Sequence, residues 1–349
     1  MLDCLVIGGG QSGLLCGYLL ARAGVDYRVV DASPRAGEVW RQRPAGLRLF
    51  TSRQFCRLAD LDMPGDPEGY PTGLEFADYL QQFAALKQVQ VSYASRVLRL
   101  TSVAEGFEAL LGSGEVVRCR SVINATGSNQ VPVIPGFAQA LGEQVVQLTA
   151  GQFRDASFVP AGSTVAVVGD GASGRQIALE LAAHHHVLLA CGRPRKLVPN
   201  RVLGKDVFWW LNKAGLLFAR HDSRVARIIR KRDPIPVANA NDAMLARQGV
   251  QIKGRATDAN AAGLVFDHQG RVTVQAVIWC NGYREDTQWL AVPGLEGFEA
   301  SAGCLGRTPQ PGFYLMGRKW LSCRASELVM GANQDAARVV EYVRAYLGN

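Results

Sequence analysis

Two stretches of the chain share one pattern. Residues 2–7 (LDCLVI) form a short apolar, β-branched run that stops at GGGQSG (8–13), and residues 164–168 (TVAVV) form another that stops at GDGASG (169–174). Apolar runs of this length bounded by glycine predict buried strands. After each glycine motif apolar residues recur at helical spacing, which predicts helices over 11–23 and 173–185. Apolar runs at 26–31 and 187–191 predict the next strands, so each copy reads as a βαβ unit.

Around these units the pattern is less regular. Residues 34–72 are rich in Pro, Gly and Arg and read as irregular chain, followed by a predicted helix over 73–87. Alternation of apolar and polar positions through 89–124 predicts strands with short turns. A Pro- and Gly-punctuated connection covers 128–162, and after the second unit 199–247 reads as an insertion containing DVFWWLNKAGLL. Strand patterns return at 250–253, 263–267 and 271–279, and the chain closes with the strand GFYLMG and a helix over 325–346. The predicted fold class is α/β, with two Rossmann-like dinucleotide-binding domains.

The glycine spacing carries chemistry. In G-x-G-x-x-G the first glycine (Gly8, Gly169) permits the tight turn, and the second (Gly10, Gly171) lets a pyrophosphate approach the backbone. The third (Gly13, Gly174) lets helix pack on strand, while Gln11 and Ser12, or Ala172 and Ser173, open a helix whose N-terminal dipole faces the phosphates. Asp31 ends the second strand of the first unit, where a carboxylate accepts hydrogen bonds from a ribose with a free 2′-hydroxyl. The equivalent place in the second unit is Gly192, followed by Arg193, Arg195 and Lys196. Basic groups there suit a 2′-phosphate, so the second site is expected to prefer NADP over NAD. Two dinucleotide sites in one chain point to hydride passed between them.

Charge changes the picture little. Of the net +8, residues 193–232 hold 12 basic and 2 acidic groups, against 26 and 28 elsewhere. The excess is local and no nucleic-acid-binding motif accompanies it, so nucleic acid is not an expected partner. No apolar run is long enough to span a membrane and residues 1–13 lack a secretory pattern, so the expected location is the cytoplasm. The eight cysteines include no C-x-x-C, and His184, His185 and His186 point about 100° apart on a helix, so no metal site is expected.

The quoted motifs, together with GEVWRQRP (37–44), LRLFTSRQF (47–55), VINATGSNQVPVIPG (122–136), LGKDVFWWL (203–211), VIWCNGYRED (277–286) and GFYLMGRKW (312–320), resemble those of two-dinucleotide-domain flavoproteins. Within these the chain is most similar to flavin-containing monooxygenases and bacterial CzcO-like flavoproteins. The resemblance implies a glutathione-reductase-like architecture. It divides the chain into FAD-domain segments 1–155 and 277–349, with an NADP domain, 156–276, between them. It implies FAD at the first motif, with Trp40, Arg41 and Gly127 beside it, and NADPH at the second. It also implies that NADPH reduces the flavin and that O2 then gives a C4a-(hydro)peroxide able to oxygenate a small organic substrate. The flavin carries that chemistry, and Thr51, Ser52 and Gln54 occupy the stretch that supports it in relatives. The family's His in the inter-domain fingerprint is replaced here by Thr149, four residues before Phe153. An NADPH oxidase or electron-transfer reductase, and a non-catalytic nucleotide sensor, stay open as alternatives, as does a homodimer.

Overall fold

A computed structural model describes residues 1–348 apart from 195, 233, 238, 239, 296, 297 and 299–301. The chain builds two parallel sheets of the same design. In the first, β1 (Leu2–Ile7) pairs in parallel with β2 (Tyr27–Val30), and β2 with β3 (Val91–Ser92). On the other side of β1 lies the long β6 (Val116–Asn124), whose last residues pair with β22 (Phe313–Leu315). An antiparallel meander of β4 (Val97–Val103), β5 (Gly106–Leu111) and the start of β6 flanks this sheet, with β21 (Leu290–Ala291) on β4.

The second sheet has the order β15 (Gln251–Lys253), β10 (His186–Ala190), β9 (Thr164–Val168), β19 (Ala276–Trp279) and β8 (Val146–Thr149), all parallel. Its meander is β16 (Ala256–Asn260), β17 (Gly263–Phe266) and β18 (Gly270–Thr273). The predicted strand at 271–279 is therefore two strands, because the chain turns at Val274 and Gln275 from the meander into the parallel sheet. Chain from both ends of the interval completes this sheet, since β8 precedes residue 156 and β19 runs to residue 279. The two crossings between the sheets pair with each other as a short antiparallel ribbon, β7 (Val131–Pro132) with β20 (Tyr283–Arg284). The insertion contains the hairpin β12 (Arg201–Val202) and β13 (Lys205–Asp206), and β11 (Leu197–Val198) paired with β14 (Ile235–Pro236).

The described residues include eight helices: α1 (Gln11–Arg22), α2 (Glu38–Arg41), α3 (Gly73–Leu86), α4 (Ala172–Leu181), α5 (Val207–Lys213), α6 (Arg224–Arg232), α7 (Asp242–Arg247) and α8 (Val329–Leu347). The start of α3 is fixed by a capping box in which Thr72 and Glu75 satisfy each other's backbone N–H groups. The expected terminal helix is a 3₁₀ turn, Arg324–Glu327, and then α8; extended backbone at Leu328 separates them. α1, α3 and α8 bury Leu14, Leu20, Phe76, Phe83 and Val339 on one face of the first sheet, and the meander closes the other. Full burial of each such side chain contributes about 1.5–3 kcal/mol. Among the described residues no helix is long and apolar enough to cross a membrane.

Candidate nucleotide sites and the space between them

β1 delivers the chain to Gly8, which sits at φ +105°, a conformation glycine adopts at no steric cost. A Cβ on Gly13 would stand 1.7 Å from the Gly8 carbonyl oxygen, so α1 packs on the turn with no room for a side chain. Gly10 has nothing within 4 Å of such an atom. No side chain caps α1, so its first N–H groups face that open space. Asp31 accepts the N–H of Gly9 through one oxygen and that of Ser33, at 2.6 Å, through the other. Its carboxylate thus shapes the loop. Ser12 is buried, and a Cβ on Gly317 would come within 3.0 Å of its hydroxyl, which places the end of β22 against the same loop. An open cradle, an uncapped helix and a carboxylate at the second strand's end fit the adenosine diphosphate part of FAD.

The second loop repeats this geometry. Gly169 lies at φ +113°, a Cβ on Gly174 would stand 1.9 Å from the Gly169 oxygen, Gly171 is open and α4 has no side-chain cap. Even the supports correspond: a Cβ on Gly8 would strike Ala125 O at 2.7 Å, and one on Gly169 would strike Cys280 O at 2.4 Å. Arg193 and Lys196 are exposed beyond the end of β10, and Arg195 lies outside the described residues. One difference escaped the sequence reading. Asp170 puts a carboxylate into the second loop, and the buried Arg175 answers it with Nε on the Asp170 carbonyl (3.1 Å) and Nη2 3.8 Å from its carboxylate. Arg175 also binds Ala240 O and Asp242, tying α4 to α7. An arginine directly after the third glycine was the signal available.

Between the loops lies the hinge. Gly127 (φ +76°) is open, and Thr126 next to it accepts hydrogen bonds from Gln130 and from Arg318. Arg318, almost wholly buried, also binds the carbonyls of Asn124 (3.2 Å) and Met316 (2.7 Å) and the carboxylate of Glu285 (2.8 Å). One guanidinium therefore joins the ends of β6 and β22 to the returning crossing.

Trp40 is half-buried and packs edge-on against Phe76 at 4.9 Å. Arg41 is turned to α3, where Asp78 (2.6 Å) and Gln81 (2.9 Å) hold it. Thr51 and Ser52 are buried; Thr51 Oγ1 lies 3.6 Å from Cys56 Sγ, and Gln54 donates to Ser52 Oγ at 3.1 Å. Thr149 hydrogen-bonds the Gln152 side chain, and Phe153 is fully buried. Trp209 and Trp210 stand edge to face at 4.7 Å, with Trp210 donating to Val202 O. Among the described residues no cluster suited to a metal ion occurs, at His184–His186 or elsewhere.

A family model described as pyridine nucleotide-disulphide oxidoreductase matches residues 5–198. A relative in Geobacillus kaustophilus, described as an uncharacterized CzcO-like oxidoreductase, is 34% identical over 342 residues and 97% of both chains. The chain belongs to the CzcO-like oxidoreductases of this family. The fold of the CzcO-like oxidoreductase matches a flavin-containing monooxygenase from Stenotrophomonas maltophilia with TM-score 0.81, 25% identity and 99% coverage of both chains. It also matches OTEMO, solved in complex with FAD and NADP, with TM-score 0.73 and 17% identity over 100% of this chain and 86% of that one. The second likeness is one of fold.

Proposed function

We propose that this CzcO-like oxidoreductase is an NADPH-dependent flavoprotein monooxygenase acting on a small organic molecule. FAD and NADPH are its cofactors. The observation that carries the reading is the pair of matching glycine cradles whose second strands are followed by different residues, Asp31 for one and Gly192 and Arg193 for the other. When bound, the flavin accepts hydride from the nicotinamide and activates O2. The protein's part is to hold the two nucleotides and to keep water from the reacting atoms. Gly8, Gly10, Gln11, Ser12, Gly13 and Asp31 hold FAD, with Trp40 and Gly127 flanking it. Gly169, Gly171, Ala172, Ser173 and Gly174 hold the NADPH pyrophosphate, and Arg193 and Lys196 its 2′-phosphate.

The cysteines argue against the thiol relay that the family's name includes. All eight are free and no C-x-x-C is present. Burial pushes the thiols of Cys4, Cys119 and Cys280 up to about 12, away from the reactive thiolate form. One observation favours a second reading, an NADPH oxidase: the hydroxyl of Thr149, at the place of the family's His, is bound to Gln152. Anaerobic mixing with NADPH followed by oxygenated buffer separates the two. Flavin that bleaches and passes through an absorbing intermediate before reoxidation supports oxygenation; direct reoxidation supports the oxidase, and flavin that never bleaches refutes both.

A further inference from the structure

Residues 200–213 are inserted between strands of the second sheet, yet their contacts run to chain that belongs with the first. Tyr70 donates to Asn200 O (2.9 Å), Lys205 pairs with Glu68 (3.0 Å), and Arg201 reaches Glu68 O (2.6 Å) with its guanidinium 5.5 Å from the Tyr70 ring. Phe208 is buried with Cys323, Leu328 and Met330, and its ring lies 6.0 Å from that of Phe50. At the centre of this seam is Asp206, fully buried. Its two oxygens serve different partners. Oδ2 accepts the N–H of Ser52 at 2.8 Å, 154 residues away, and Oδ1 accepts the N–H of Phe208 at 2.8 Å as the cap of α5.

We propose that Asp206 is a positioning residue for the oxygen-reacting half of the cycle. It fixes the main chain of the 51–56 segment and the start of α5 to each other, so that both keep one geometry over the flavin while the nucleotide-binding sheet exchanges NADPH. The inference rests on the flavin-dependent reading above. A buried carboxylate is a suitable fastener because hydrogen bonds to a charged acceptor are stronger than neutral ones, and an N–H left without its acceptor in a dry seam is destabilising. The flanking Phe50, Phe55, Val207 and Leu211 make the side of the seam around Phe208 apolar, which suits an uncharged substrate.

Asp206→Ser separates the two roles, since serine caps a helix well but its hydroxyl is too short to span both partners. In the FAD-loaded protein, amide hydrogen exchange at Ser52 is expected to quicken on the order of 10- to 100-fold while Phe208 stays protected. Flavin reduction by NADPH should stay within about 2-fold of wild type. With methyl phenyl sulfide as an apolar probe, apparent KM should rise about 10-fold and more NADPH should be lost as hydrogen peroxide, a scale set by sub-ångström misplacement of reacting groups. Unchanged exchange at Ser52, or a reduction rate that falls in step with sulfide oxidation, overturns the inference. Asp206→Asn, which keeps the size and one acceptor oxygen, should lie between. If both variants fail to fold or to retain FAD, the residue is structural only and the inference is wrong. A wild type that is reduced by NADPH, reoxidises with no absorbing intermediate and leaves the sulfide untouched refutes the monooxygenase reading; exchange at Ser52 and the rate of reoxidation then decide Asp206 separately.

Discussion

The glycines of the second loop have different jobs, and one pair of substitutions separates them. A Cβ on Gly174 would lie 1.9 Å from the Gly169 carbonyl oxygen and 3.0 Å from its carbon. Real Cβ contacts do not fall below about 3 Å, so α4 must move away from the turn by roughly 1 Å, an overpacking strain of about 1–3 kcal/mol. Gly171 is the opposite case. Its backbone (φ −68°, ψ 178°) suits any residue and a Cβ there meets nothing within 4 Å. Alanine at this position therefore leaves stability within about 0.5 kcal/mol, the entropy gained offsetting the weaker cap. Under the proposed function its methyl group nevertheless occupies the ground where the pyrophosphate would approach. The expected results are a Tm lowered by about 2–12 °C in Gly174→Ala and an unchanged Tm in Gly171→Ala. NADPH KM should rise at least about 10-fold in Gly171→Ala, the scale of one lost charge-assisted hydrogen bond, with bound FAD retained. Calorimetry, flavin absorbance and initial rates read all three. An unaltered NADPH KM in Gly171→Ala would show that this loop does not cradle the pyrophosphate, and full stability in Gly174→Ala would refute the packing account.

Other expectations follow from the same geometry. Arg193→Ala should raise NADPH KM by about 10-fold and leave NADH nearly unaffected; equal effects on both nucleotides would remove Arg193 from the 2′-phosphate. Arg318→Met strands the Glu285 carboxylate and removes the three hydrogen bonds to Asn124, Met316 and Thr126, and should lower unfolding free energy by about 3 kcal/mol. Part of that should return in the double variant with Glu285→Gln, measured in urea, and a double variant no better than the single one would rule out the pairing. Burial raises the thiols of Cys56, to about 11, and Cys119, to about 12, above the usual 9.0. The native protein therefore keeps protons that the unfolded chain releases, so stability is full below pH 9 and falls as pH climbs toward 11. Urea midpoints that hold or rise between pH 8 and pH 10.5 would contradict this.

Much of this protein is written locally. The runs at 2–7 and 164–168, the two glycine motifs and the helical spacing after them each span fewer than twenty residues, and the structure places β1, α1, β9 and α4 over them. Turn chemistry and hydrophobic period act between near neighbours, so a reader of the sequence recovers them. The difference between Asp31 and Arg193 was legible for the same reason, because each stands at a fixed offset from its loop. What joins the two halves was not. Arg318 meets Asn124 across 194 residues, Asp206 meets Ser52 across 154, and β7 meets β20 only once both sheets exist. No period or spacing records such a pairing, since any buried carboxylate or guanidinium satisfies the local pattern equally well. The partner is chosen by which backbone N–H or carbonyl the packed sheets leave unsatisfied in the interior, where a missing hydrogen bond is most destabilising. The sequence by itself determined two glycine loops and the residues that follow their second strands; the tertiary structure alone decided how the loops are held together, because that depends on groups brought within 3 Å by the whole fold.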